Sequence, residues 1–266
     1  MTGPAVASPP APAPRAIGWR VLGVSVRGTS HARGGQPCQD AHDWRPLPGG
    51  AVVLAAADGA GSAPLSDAGA HAAARAAVDA LVRAAPSIDP AGDGWPAALD
   101  EALAAALAAV VAEAARLEAE LRDLATTLLV CVAFPGGVVA AQVGDGAVIV
   151  ATEEGMRTVT TPVSGEFANE TVFITTPDAI PGAQRATWRG EARHVALLTD
   201  GLQGLALKFP EKVPHEPFFT PLFAFVAEAG ETLEAERQLA AFLGGPRVTA
   251  RADDDLTLLL AARDHG

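Results

Sequence analysis

The sequence predicts an α+β fold built as a layered sandwich, and two observations carry that reading. Apolar strands come in runs: Thr127–Phe134, Val138–Val143 and Ala147–Ala151 follow one another as a meander, turned at Pro135-Gly136-Gly137 and Gly144-Asp145-Gly146. Helical segments come as paired blocks, whereas a doubly wound parallel sheet would alternate helix and strand one for one. No internal repeat interrupts this plan.

In chain order, Met1–Arg15 lacks a cationic start and is broken by Pro4, Pro9, Pro10, Pro12 and Pro14. Residues 1–16 therefore read as a disordered Pro/Ala-rich leader rather than a signal peptide, ahead of a single domain over 17–266. Val21, Leu22, Val24 and Val26 mark a strand from Trp19 to Val26, and the unbroken apolar run Ala51–Ala57 suits a buried one. Asp67–Arg83 and Ala97–Arg122 are alanine-rich with helical spacing, as in Leu99, Leu103, Leu107, Val110, Ala114, Leu117 and Leu121; the Pro/Gly/Asp stretch Pro86–Pro96 parts them. Beyond the meander, short strands are expected near Thr171–Thr175 and Ala186–Trp188, and a stronger one at Val195–Leu198. Phe218–Ala229 and Leu233–Leu243 read as helices, and Leu256–Ala262 as a last buried strand.

Bulk properties narrow the function. With 266 residues and 49% apolar content, the chain can bury a sizeable core. A net charge of -12 repels nucleic-acid phosphates and leaves no basic stripe to bind them. A phosphorylated substrate would need a local counter-charge, from a metal or an arginine. Cys38 and Cys131 form no Cys-x-x-Cys pair, which fits a reducing, cytoplasmic setting without a disulfide scaffold or thiolate zinc site. The longest Ala/Leu/Val run, Ala102–Ala112, falls well short of the roughly 20 residues that span a bilayer.

Candidate chemistry sits where apolar strands end in an acid beside glycine: Ala57-Asp58-Gly59, Val143-Gly144-Asp145-Gly146 and Leu198-Thr199-Asp200-Gly201. Asp253-Asp254-Asp255 precedes the last strand. Taken singly, each Asp-Gly is as readily a hairpin turn. Together, aspartates held at the ends of rigid strands supply the hard oxygen ligands that Mg²⁺ or Mn²⁺ requires. Cys38 does not support thiol chemistry, because the arginine of a phosphate-cradling cysteine loop falls one step late, at Arg45. His71 and His194 have no spaced partner for a metal site.

The segments Gln39-Asp40-Ala41-His42, Asp58-Gly59-Ala60-Gly61-Ser62, Thr126-Thr127-Leu128, Val143-Gly144-Asp145-Gly146, Leu198-Thr199-Asp200-Gly201-Leu202 and Asp254-Asp255-Leu256-Thr257 follow the order of motifs in the metal-dependent, type 2C protein phosphatases. The chain resembles that family over residues 18 to 262, and Gly165–Thr171 resembles its bacterial subgroup. The resemblance implies a four-layer αββα sandwich, two mostly antiparallel sheets flanked by helix pairs. It implies a serine/threonine phosphatase acting on phosphoproteins, opposite a serine/threonine kinase. Two Mn²⁺ or Mg²⁺ ions would be held by Asp58, the Gly59 carbonyl, Asp200 and Asp254. Asp145 would help hold a third, weaker ion, and Asp40 would order the water that becomes the attacking hydroxide.

The chain departs from the family at several positions. Gln39 replaces the usual Glu, and Gly35 stands where a phosphate-binding arginine is expected, leaving Arg33 or His31 to take that role. Ala60 replaces a histidine that donates the leaving-group proton in some relatives, a task left to a bound water or His42. Gly204 removes an acid from the third-ion site, and Asp255 replaces Asn. The missing arginine favours an inactive, metal-binding regulatory relative as the competing reading; another dimetal phosphohydrolase is the third.

Overall fold

The computed structural model describes residues 18–89, 92–162 and 171–264. The expected leader and all but Thr171 of the Gly165–Thr171 segment lie outside these. The chain runs β1 (Trp19–Val26), a short α1 (Thr29–Gly34), β2 (Asp40–Leu47), β3 (Ala51–Asp58), α2 (Ser66–Ala84) and α3 (Trp95–Arg116). It continues through β4 (Leu128–Phe134), β5 (Gly137–Val143), β6 (Ala147–Thr152), β7 (Gly155–Thr160), β8 (Gln184–Arg189) and β9 (His194–Leu198). Then follow α4 (Gln203–Ala206), a small hairpin of β10 (Leu207–Lys208) and β11 (Val213–Pro214), α5 (Glu216–Glu228), α6 (Thr232–Leu243), α7 (Pro246–Thr249) and β12 (Leu256–Arg263).

Two five-stranded sheets form, ordered β1-β12-β9-β6-β7 and β2-β3-β4-β5-β8. Every strand pair in them is antiparallel. The pleat explains the layering, because alternate side chains of a strand point to opposite faces. In β3, Ala51, Val53, Ala55 and Ala57 face α2 and α3, while Val52, Leu54 and Ala56 face the other sheet. In β12, Leu258 and Leu260 meet α5 and α6, and Leu259 and Ala261 turn to the inter-sheet core. Strands covered on both faces read as unbroken apolar runs, which is why β3, β4 and β12 are visible in the sequence. The expected four-layer αββα sandwich is the observed architecture.

The sequence misses what lies at the margins. β2 and β7 are edge strands, half exposed, and carry Asp43, Arg45 and Arg157 where a central strand would carry valine. Pro46 is tolerated on β2 because an edge strand can lack a donor. The second expected helix overruns: α3 stops at Arg116, and Glu118 takes a left-handed φ of 53° that ends it without glycine. Leu117 and Leu121 still pack on the core, so their spacing imitates two further helical turns. No strand forms at Thr171–Thr175; a turn there hangs on Thr126, whose carbonyl accepts the Ile174 N–H at 2.8 Å.

Leu54 is 0% exposed at the centre of the inter-sheet layer. Replacing it by alanine should cost about 2–5 kcal/mol through lost burial and the cavity left behind. Urea unfolding should show this as a lower midpoint with an unchanged slope.

Candidate metal centre

The antiparallel register brings the acids to one end of the sandwich. Asp58 closes β3 directly opposite Asp40, which opens β2. Asp145 sits in the β5–β6 turn, Asp200 follows β9 in a 3₁₀ turn, and Asp253–Asp255 lead into β12. One carboxylate oxygen from each of Asp58, Asp145 and Asp200 lies within 4.8 Å of the others, the spacing of ligands around a shared cation.

Their backbones are tied down. The Asp58 carbonyl accepts from Thr127 N at 2.8 Å and from Thr126 Oγ1 at 3.0 Å, and Asp58 N donates to Thr127 Oγ1 at 3.0 Å. That clamp gives the Thr126-Thr127 motif its physical reason. Gln203 Nε2 donates to the Asp145 carbonyl at 2.7 Å, and Thr171 Oγ1 to its carboxylate at 3.0 Å. Gly59 and Gly201 are required by close approach: a Cβ on Gly59 would lie 2.7 Å from the Gln39 carbonyl oxygen, and one on Gly201 would collide with that of Asp255. Neither Asp-Gly is a hairpin turn.

Burial and mutual repulsion push the whole set toward the protonated state. Asp40, 3% exposed, is raised to about 7 by burial, with Asp255 and Asp200 adding to the shift against hydrogen bonds from Thr199 and Thr257. Burial raises Asp200 to about 6, with help from Asp145. Asp58 is raised well above the carboxylate range by burial and by Asp40 and Asp200. Asp145 is also raised, by burial first. Carboxylates that destabilise one another in this way fit a cation, whose charge reverses the sign of the interaction.

The remaining expected residues are distributed around this cluster. Asp254 stands at its rim, with a side chain 56% exposed and 3.8 Å from His31 Nε2. His31, on α1, is only 9% exposed, and its Nδ1 lies 2.8 Å from Asp255 Oδ2. Asp255 is buried and accepts from the backbone N–H groups of Gly28 and Gln39, tying the N-terminal loop to β12. Arg33 is 74% exposed on the same short helix, its guanidinium 3.9 Å from Asp253. His42 turns away from the cluster toward Ser25, and burial lowers its pKa. Cys38 is pushed up to about 12 by burial and by Asp255 and Asp40, so it remains a thiol. Thr199, Thr257 and Gln203 support the acids, a role that sequence reasoning did not assign; only the first two lay within noted motifs.

A family model described as Protein phosphatase 2C matches residues 27–244. The chain belongs to the protein phosphatase 2C family. It is 37% identical over 260 residues to Serine/threonine-protein phosphatase 3 of Escherichia coli (strain K12), covering 92% of this chain and 98% of that protein. Among solved structures, the catalytic domain of serine threonine protein phosphatase PstP in complex with two manganese ions superimposes with a TM-score of 0.60 at 19% identity, over 94% of this chain and 100% of that one. Serine/threonine phosphatase Stp1 from Staphylococcus aureus gives 0.60 at 15% identity, over 96% and 100%. These structures share the phosphatase 2C fold with this chain.

A pH dependence of stability follows. Folded-state pKa values above the ordinary ~3.9 of an aspartate mean that protonation favours the fold. That stabilisation is complete at low pH and is lost as pH rises through about 6 for Asp200 and about 7 for Asp40. Metal-free protein should therefore melt at a lower temperature at pH 8 than at pH 5. Saturating Mg²⁺ should raise the melting temperature more at pH 8, because ionised ligands bind without releasing protons. Scanning calorimetry at the two pH values, with and without Mg²⁺, measures both effects.

Proposed function

We propose that this chain is a metal-dependent serine/threonine protein phosphatase, hydrolysing phosphoserine and phosphothreonine by in-line attack of water. The observation that carries the reading is the convergence of Asp58, Asp145 and Asp200 within 4.8 Å in a chain of the phosphatase 2C family. Two divalent cations, Mn²⁺ or Mg²⁺, would supply the chemistry by lowering the pKa of water toward neutrality and neutralising the phosphoryl oxygens. Asp58, Asp200 and Asp254, the last from the outer rim, would hold the pair with the Gly59 carbonyl, and Asp145 would help hold the third, weaker ion. The place of Asp145 inside the tight cluster supports its taking part even though Gly204 offers no carboxylate.

Asp40 accepts a hydrogen bond from the attacking water and so fixes its line of approach. Arg33 takes the phosphate grip in place of the family's arginine. Among the described residues its exposed side chain is paired loosely with Asp253, a contact worth little to stability and readily exchanged for phosphoryl oxygens. His31, packed on Asp255, shapes the loop beneath it. The substrate is a phosphorylated protein, the counterpart a serine/threonine kinase and the setting the cytoplasm. The free thiols Cys38 and Cys131 are compatible with that setting, and among the described residues no helix is long and apolar enough to cross a membrane.

Hydrolysis of a phosphothreonine peptide should require added Mn²⁺ or Mg²⁺ and stop in excess chelator; Asp58→Asn should remove it at any practical Mn²⁺ concentration. Turnover persisting in chelator would sink the mechanism. Arg33→Ala should lower kcat/KM by roughly thirty- to a hundred-and-fiftyfold, about 2–3 kcal/mol for one charge-assisted bidentate contact, with Mn²⁺ affinity unchanged. His31→Ala should cost less. If the order of the two variants is reversed at saturating Mn²⁺, His31 is the phosphate ligand.

A further inference from the structure

A row of hydroxyls crosses between the sheets beside the acidic cluster. Thr199 Oγ1 donates to Asp40 Oδ2 at 2.7 Å and accepts from Thr257 N at 3.1 Å. The Thr257 side chain bonds the same carboxylate, and its Oγ1 lies 2.7 Å from Ser25 Oγ. Ser25 Oγ in turn lies 2.8 Å from His42 Nδ1. Ser25 and Thr257 are directly opposed across β1 and β12, while Asp40 and His42 are two residues apart on β2 and share a face. The chain therefore leaves one sheet at Asp40, runs through the other, and returns at His42.

Such a network is costly where Val and Ala would pack as well, unless each member is satisfied. Here each one has a partner. An ionised Asp40 can only accept, so the Thr199 and Thr257 hydroxyl hydrogens run toward it; the neutral His42 ring also bonds the Gly23 backbone and meets Ser25 Oγ through Nδ1, the donor of that contact being set by its tautomer. The other edge of the ring is held against β1: a Cβ on Gly23 would sit 2.7 Å from His42 Cδ2. The imidazole is thus fixed in place, and it does not face the acidic cluster.

We infer that Ser25 and His42 are positioning residues for the hydrolysis, acting through Thr257 to fix the orientation of the Asp40 carboxylate and hence the hydrogen bond it accepts from the attacking water. The inference rests on the phosphatase reading and extends it to two side chains that touch neither metal nor substrate. The interactions that orient a metal site's immediate neighbours matter at the level of ten- to hundredfold in activity.

The test uses Ser25→Ala, Ser25→Thr, His42→Leu and His42→Asn, the last placing an amide N–H near the position of Nδ1. Ser25→Ala and His42→Leu should lower kcat roughly ten- to hundredfold, with KM and half-saturating Mn²⁺ unchanged, and Ser25→Thr and His42→Asn should recover most of it. A readout independent of turnover comes from ¹⁵N spectra of metal-free protein. Asp40→Asn should shift the His42 ring nitrogens, and Ser25→Ala should abolish that response. A folded Ser25→Ala enzyme with wild-type kcat would overturn the inference. So would losses that follow a falling melting temperature and are not recovered by the conservative variants. If the wild type shows no Mn²⁺-dependent hydrolysis, the phosphatase reading fails and this role with it; the nitrogen response then reports only that the hydroxyl row exists.

Discussion

The end of this sandwich is organised around the mutual repulsion of carboxylates held out of water. Asp40, Asp58, Asp145 and Asp200 each carry a raised pKa; the charges of Asp40, Asp145 and Asp200 each raise another member of the set, while Asp58 shares a hydrogen bond with Asp200. A surface loop would relieve such strain by moving apart. These acids cannot move apart freely, because Asp58 ends and Asp200 follows a strand paired on both sides, Asp40 is paired directly with Asp58, and Thr126 and Thr127 grip the Asp58 backbone. The scaffold stores the repulsion, and a divalent cation is the species that converts it into attraction.

How much of this the sequence discloses depends on burial. β3, β4 and β12 are covered on both faces, so apolar residues fill nearly every position and the strand is plain, Thr257 being the polar exception within β12. The edge strands β2 and β7 are covered on one face at most and read as polar loops. The acids are visible for a related reason: an aspartate after seven apolar residues, as at Asp58, stands out from its surroundings. The assembly of a centre from Asp58, Asp145 and Asp200 is not written locally, since it depends on register between strands far apart in the chain. The resemblance to phosphatase 2C motifs supplied what periodicity could not. Even so, the motifs give no hint that Asp254 stands at the rim or that Arg33 is so exposed. Both follow from how the β12 approach and α1 pack, which is a tertiary matter.

Asp255 shows how a departure from the family becomes intelligible in three dimensions. A carboxylate in place of an amide gains two backbone N–H donors, from Gly28 and Gln39, and an imidazole neighbour in His31. An asparagine there would have one acceptor oxygen for the two N–H groups that now bond separate oxygens. The loop that carries His31 and Arg33 is therefore moored to β12 by a bond set that the substitution itself makes possible.

The position of β12 has a consequence for synthesis. It is the last strand in sequence, yet it lies between β1, the first, and β9. Until it emerges from the ribosome, both neighbours expose open hydrogen-bonding edges, and the helices α5 and α6 lack much of the apolar face they cover. Asp254, Asp255 and Thr257 arrive with it, so the centre cannot close on a partial chain. A nascent phosphatase of this design is silent toward the phosphoproteins around it until β12 has been made, and its unpaired strands are until then most in need of a chaperone.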